Sequence, residues 1–89
     1  MSVEEIRDAL NKNNLVIGSR ETIKYLKNNV IKVIMISKNC PEDVRNDLEK
    51  FTTLYKIRLE NFDGTSKQFG IFLGKPFPVA TASVKSENK

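Results

Sequence analysis

Apolar residues fall along this chain in two alternating rhythms. Val3, Ile6 and Leu10 recur at steps of three and four, with Glu4, Glu5, Arg7 and Asp8 between them, which is the spacing of a helix with one buried face. Acidic residues in its first turn suit the positive end of a helix dipole. Asn13-Asn14 ends this helix, and Leu15-Val16-Ile17 follows as a continuous apolar run, a strand covered on both faces. After a turn at Gly18-Ser19, Ile23, Leu26 and Val30 give a second helical stripe, its helix running from about Arg20 to Asn28. A second buried strand is expected over Lys32–Ser37. Ser37-Lys38-Asn39-Cys40-Pro41 then turns the chain, with Pro41 opening the next helix where a missing N–H costs nothing. Val44, Leu48, Phe51 and Tyr55 mark that third helix, and Glu42 and Asp43 fill its first turn. Ile57–Asn61 alternates apolar and polar side chains, the period of a strand. Asp63-Gly64 marks a turn, and Thr65 or Ser66 can cap a short fourth helix burying Phe69, Phe72 and Leu73. Gly74-Lys75-Pro76-Phe77-Pro78 must be a loop, because two prolines so close forbid regular structure. Val79–Val84 reads as the last strand and Lys85–Lys89 as a polar tail.

Strands alternating with helices in the order αβαβαβαβ predict an α/β fold, with helices on both faces of a four-stranded sheet. At 89 residues this is one domain, taken as residues 1–84 with the tail at 85–89. The longest apolar runs, such as Val33-Ile34-Met35-Ile36, are too short to span a bilayer. The acidic start MSVEEIRDAL lacks the basic and apolar regions of a secretory signal, so an intracellular protein without membrane attachment is expected.

Charge and residue types then narrow the chemistry. Fifteen Lys and Arg against 11 Asp and Glu give a net charge of +4, which fits a polyanionic partner without requiring one. There is no histidine and one cysteine, Cys40, so a Cys/His zinc site is out of reach and the usual histidine acid–base chemistry is absent. Gly18 is followed by neither the spacing nor the Gly-Lys-Ser/Thr ending of a P-loop. Glu42, Asp43 and Asp47 alternate with Arg45 and Lys50, the pattern of a solvated helix face. Neither an enzyme nor a cofactor is expected.

Three turns collect the unusual residues. In the first, Gly18 permits a tight bend with Ser19, and the N–H groups opening the following helix face whatever docks there. Arg20 and Lys24, four apart, share one helix face, and Lys27 lies one step further. Glu21 repels phosphate, yet its carboxylate can accept hydrogen bonds from a base edge; the plainer reading is a favourable first-turn charge. The second turn, Ser37–Pro41, shares the first turn's edge if the first two strands are parallel neighbours, though alone it is simply a proline-started helix. Cys40 reads as a small buried side chain. In the third turn, Phe77 between Pro76 and Pro78 and near Lys75 is either a rigid exposed platform for a base or a lid on the core.

Taken together, these segments resemble a known family over nearly the whole chain. They are Leu15-Val16-Ile17-Gly18, Glu21-Thr22-Ile23-Lys24, Ser37-Lys38-Asn39-Cys40-Pro41, Asp63-Gly64-Thr65-Ser66, and Phe69-Gly70 through Gly74-Lys75-Pro76-Phe77-Pro78-Val79. No one of them is specific, but their order and spacing are similar to those of the large-subunit ribosomal protein thirty family of archaea and eukaryotes. That family is part of the kink-turn RNA-binding superfamily that includes archaeal ribosomal protein seven-Ae. The resemblance implies a three-layer α/β/α sandwich whose last strand runs antiparallel between the first two, which brings Phe77 beside two helix N-termini. It also implies that Gly18 lets backbone approach RNA, that Glu21 reads guanine edges, and that Lys24 contacts the G·A region and backbone. Asn39 falls at a polar contact position and Phe77 at one that packs against an unpaired base. Arg20 stands where a basic residue is common in the thirty-type branch.

The resulting expectation is a structural RNA-binding component of the large ribosomal subunit, in the cytoplasm. Its partners would be a kink-turn or similar internal loop of ribosomal RNA and other large-subunit proteins, and the free protein would be monomeric. Gly18, Ser19, Arg20, Glu21, Lys24, Lys38, Asn39, Lys75, Pro76 and Phe77 make up the expected RNA site. A non-ribosomal kink-turn binder of a guide or regulatory ribonucleoprotein is the alternative, and a protein-interaction domain that has lost RNA is a third, disfavoured by the basic turns.

Overall fold

The computed structural model describes residues 2–86. The side chains of Val3 and Glu5, expected on the first helix, and residues 87–89 of the expected tail lie outside the described residues. Eight elements follow in strict alternation: α1 (Ser2–Asn11), β1 (Leu15–Ile17), α2 (Ser19–Lys27), β2 (Ile31–Ile36), α3 (Glu42–Tyr55), β3 (Arg58–Asn61), α4 (Ser66–Phe72) and β4 (Thr81–Lys85). The turn chemistry accounts for most of the boundaries. Asn13 and Asn29, just beyond α1 and α2, adopt φ of 60°, a left-handed conformation that asparagine tolerates better than most side chains. Lys56 does the same at the end of α3, with φ of 58°. Thr65 caps α4 in a reciprocal box: its hydroxyl accepts from the Gln68 N–H, and the Gln68 side chain accepts from the Thr65 N–H at 2.8 Å.

The four strands form one mixed sheet in the order β1-β4-β2-β3. β4 is antiparallel to both β1 and β2, while β2 and β3 are parallel. The first two strands are therefore parallel to each other but not neighbours, because β4 lies between them. α1 and α4 cover one face, where Ile6, Ala9, Val33, Met35, Phe69, Leu73, Val79, Ala82 and Val84 pack together. α2 and α3 cover the other, over Val16, Leu26, Ile31, Ile34, Ile36, Cys40 and Leu48. Each large side chain fully buried here contributes about 1.5–3 kcal/mol. Ile31 joins Ile34 and Ile36 rather than Val33 because the ladder slips at this point: Ile31 pairs with Lys85 and Val33 with Val84. Lys32 is the extra, exposed residue, and this bulge reverses the alternation. One polar pair sits inside the second layer, Thr22 Oγ1 and Ser83 Oγ at 2.9 Å, joining α2 to β4.

The C-terminal strand differs from its expected span. Val79 and Ala80 precede it, and Lys85, assigned to the tail, is its last residue, its N–H donating to Asn14 O at 2.9 Å. The Ser86 N–H donates to Val30 O at 2.6 Å, so the ordered backbone continues past Val84. The loop entering β4 lies directly on α4. A Cβ at Gly70 would collide with the Phe77 carbonyl oxygen and stand 3.2 Å from its carbonyl carbon, both main-chain atoms. Gly70→Ala must therefore lift the loop or tilt the helix. We expect a loss of about 1–3 kcal/mol of unfolding free energy in a denaturant titration; parent-like stability would mean that the loop has no need of this seat.

Candidate nucleic-acid interface

Backbone hydrogen bonds gather three separated turns at one edge of the sheet. Because β4 runs antiparallel, its first residues lie level with the last residues of β1 and β2: Ala82 pairs with Ile17, and Thr81 with Ile36. Just beyond the ladders, the Gly18 N–H donates to Thr81 O at 2.8 Å and the Ser37 N–H donates to Ala80 O at 2.9 Å. The Val79 N–H donates to Ser66 O at 2.9 Å, and the Lys38 N–H to Gly64 O at 2.8 Å. A side chain closes the set: Asn39 Oδ1 accepts from the Ser66 N–H at 2.8 Å and from Ser37 Oγ at 3.0 Å. The β1–α2, β2–α3, β3–α4 and α4–β4 connections are thus one bonded assembly.

Each expected site residue has a definite place on it. Gly18 has φ of 102° and ψ of 145°, a conformation in which a Cβ would be strained although the space in front of it is open. Its N–H donates to Thr81 O and its C=O accepts from the Thr22 N–H at 3.0 Å, so Gly18 offers a partner a low surface but no free donor. Ser19 opens α2 half-buried, and Arg20, Glu21 and Lys24 follow, all exposed. Lys38 and Asn39 are exposed at the start of the second turn, and Lys38 Nζ lies 3.6 Å from the Asp63 carboxylate. Lys75 is half-buried and Pro76 exposed. Phe77 is 50% exposed, with its backbone resting on Gly70; its side chain is no lid on the core. Cys40 is buried in the α2–α3 layer.

The helix starts differ in a telling way. α4, the shortest, is closed by its capping box, whereas α2 and α3 begin at Gly18 and Pro41 with no side chain accepting from their first amides. The two uncapped starts belong to the expected RNA-binding turns.

Several residues of this edge escape sequence reading. Lys67, Ile71, Lys75, Pro76, Phe77 and Pro78 line an open apolar cleft of about 290 Å³ between α4 and the loop. Ile71 is 67% exposed, out of phase with the buried Phe69 and Leu73 of the same helix. That phase error, with Lys67 four residues before it, is the signal that was available. Arg45 is not merely part of a solvated face: its guanidinium donates to Lys38 O at 3.3 Å and to Asn61 Oδ1 at 3.4 Å, bracing the second turn against the end of β3. A second groove of about 280 Å³ between α2 and α3 is lined by Ser19, Arg20, Ile23, Val44 and Asp47, and so mixes both signs of charge. Among the described residues no group of three or more His, Cys, Asp or Glu is placed to hold a metal, and no helix is long and apolar enough to cross a membrane.

Comparison with known proteins agrees with this architecture. The chain is 35% identical over 80 residues to large ribosomal subunit protein eL30 of Methanothermobacter thermautotrophicus, covering 90% of this chain and 82% of that one. It is 34% identical over 82 residues to eL30 of Archaeoglobus fulgidus, covering 92% and 91%. Among solved structures, a Giardia lamblia 15.5kD RNA binding protein superposes with a TM-score of 0.85 at 13% identity, over 97% of this chain and 72% of that one. A protein with unknown function from Bacillus halodurans C gives a TM-score of 0.83 at 16% identity, over 97% and 85%. These two show the fold alone. A model of the ribosomal protein L7Ae/L30e/S12e/Gadd45 family matches residues 2–89, and with archaeal eL30 relatives at this identity over most of its length, the chain belongs to that family.

Proposed function

We propose that this protein is a non-enzymatic, structural RNA-binding component of the large ribosomal subunit, acting in the cytoplasm on the ribosome. In this reading it grips a kink-turn-like internal loop of ribosomal RNA along the edge carrying Gly18, Ser19, Arg20, Glu21, Lys24, Lys38, Asn39, Lys75, Pro76 and Phe77, and is monomeric before assembly. The observation that carries the reading is the half-exposed Phe77, its backbone seated on Gly70 and its cleft flanked by Lys67 and Lys75, beside two uncapped helix starts. Cations draw in the phosphates, uncapped amides donate to their oxygens, and a rigid ring offers a face to an unstacked base. Relatives named as large-subunit proteins support the ribosomal assignment. We expect the protein to co-purify with large subunits in high salt; recovery only in small ribonucleoproteins would move it to the guide or regulatory class.

Three substitutions test the edge with a kink-turn RNA. Lys24→Ala removes an exposed cation one turn into α2 and should flatten the logarithmic salt dependence of binding by about one counterion. An unchanged slope would take Lys24 off the phosphates.

Glu21→Gln separates base reading from simple charge. If the carboxylate accepts from guanine, the amide should lose about 1.5–3 kcal/mol of binding and discriminate less against Watson–Crick replacements of the G·A pairs. Tighter binding by the Gln variant would mean that Glu21 only repels phosphate.

Phe77→Ala should melt within a few degrees of the parent, because the ring is half in solvent. It should still lose about 1–3 kcal/mol of RNA affinity, the range for a ring that stacks on a base. Severe destabilisation with parent-like affinity in the folded fraction would return Phe77 to a structural role.

A further inference from the structure

We infer that Asn39 is a donor-only reader at this edge, its amide locked in one orientation by Ser37 and Ser66, so that it selects a hydrogen-bond acceptor on the bound RNA. The inference rests on the RNA-binding reading above and adds the chemistry of one contact and the residues that set it. An asparagine amide ordinarily presents a carbonyl and an NH2 group and can flip to suit its partner. Here it cannot. The Ser66 backbone N–H, which can only donate, meets Asn39 Oδ1 at 2.8 Å, and a flip would set two donors against each other. Ser37 Oγ donates to the same oxygen from 3.0 Å, and Ser37 is fully buried, so its hydroxyl cannot turn to solvent instead. The main chain holds both partners in place: the Ser37 N–H donates to Ala80 O at 2.9 Å, and Ser66 O accepts from the Val79 N–H at 2.9 Å.

Both lone pairs of Oδ1 are therefore occupied within the protein. Asn39 is nevertheless exposed, and its Nδ2 has no partner among the described residues. What the second turn shows a ligand is two N–H donors in a fixed plane. The neighbouring Lys38 ammonium, 3.6 Å from the Asp63 carboxylate, is shared with that anion, which leaves the amide as the turn's uncommitted donor. Its complement is an acceptor atom, either a phosphate oxygen or the N7 or O6 of a purine edge.

Asn39→Asp tests this directly, because it keeps an oxygen for Ser37 and Ser66 and replaces both outward donors by a charged acceptor. Stability and affinity should move in opposite directions. The unfolding midpoint should equal or exceed the parent's, since a carboxylate beside the first amide of α4 is favourable. Affinity for a kink-turn RNA should fall at least ~10-fold. Asn39→Ala, which loses both accepted bonds, should lower the unfolding midpoint. Guanines replaced by 7-deazaguanine in the G·A pairs would weaken parent binding if the acceptor is N7, and would leave it unchanged if the acceptor is a backbone oxygen or O6. Parent-like RNA affinity of Asn39→Asp overturns the donor role, and its easier unfolding overturns the lock. A parent chain that binds no kink-turn RNA overturns the reading on which the inference rests, an outcome distinct from either of these.

Discussion

Residues 79–81 hold this structure together, because three consecutive residues there bond to three other segments at once. Val79 ties to Ser66, Ala80 to Ser37 and Thr81 to Gly18, all through main-chain groups that no substitution removes short of proline. Immediately afterwards β4 pairs on both sides, with β1 and with β2. β1 has three residues and no ladder partner except β4. The N-terminal strand and the turn it launches are thus anchored by the C-terminal strand. Such non-local pairing carries a loop-closure cost that is regained only when the last element arrives. The consequence is that the edge bearing the candidate site cannot form ahead of the fold.

The distribution of cations follows from the same layout. Lys27 sits over the Phe51 ring at 5.7 Å and Lys85 over the Tyr25 ring at 5.0 Å. These are the far ends of α2 and β4, two of the elements that begin at the edge. Arg7 lies over Phe72, joining α1 to α4. These cations help hold helices to their neighbours, and each such contact is worth about 0.5–1 kcal/mol at an exposed site. Arg20, Lys24 and Lys75 at the edge have neither an ion pair nor a ring contact among the described residues. These three add unengaged positive charge to the edge of a chain whose net charge is only +4.

The alternation of elements was legible in the sequence because each helix carries its own stripe and β1 and β2 each carry an apolar run. Asparagines at the ends of α1 and α2 and the Thr65–Gln68 box marked boundaries through local backbone chemistry. The order of strands was not legible from periodicity, since a run such as Thr81–Lys85 looks the same in any sheet position; only the family resemblance put it between β1 and β2. The bulge at Lys32 was hidden for a related reason. In a strand apolar on both faces, one inserted residue leaves no break in the pattern. Residue type pointed to Phe77 and Lys75, and the family resemblance to Asn39. The supports were invisible: Gly70 and Arg45 act on main-chain atoms of another segment, and Ser37 and Ser66 act on an amide whose orientation no sequence encodes.

Capping differs among the helices that start along this edge. A helix start without a side-chain cap gives up as much as about 1 kcal/mol relative to one that has it, and only a few tenths where the cap is a glycine. α4 keeps its cap, and it is the helix on which the Phe77 loop is seated and to which Asn39 is bonded. α2 and α3 go without, starting instead at a glycine with positive φ and at a proline. Neither residue can supply the missing acceptor, and the Gly18 surface leaves room for one to come from outside. α4 is thus satisfied internally, while α2 and α3, which precede it in sequence, leave their first amides without a side-chain acceptor. An anionic backbone docking across the edge would complete both starts at once, with the supporting frame already fixed. Little ordering then remains to oppose binding beyond that of the long exposed side chains Arg20, Glu21, Lys24 and Lys38.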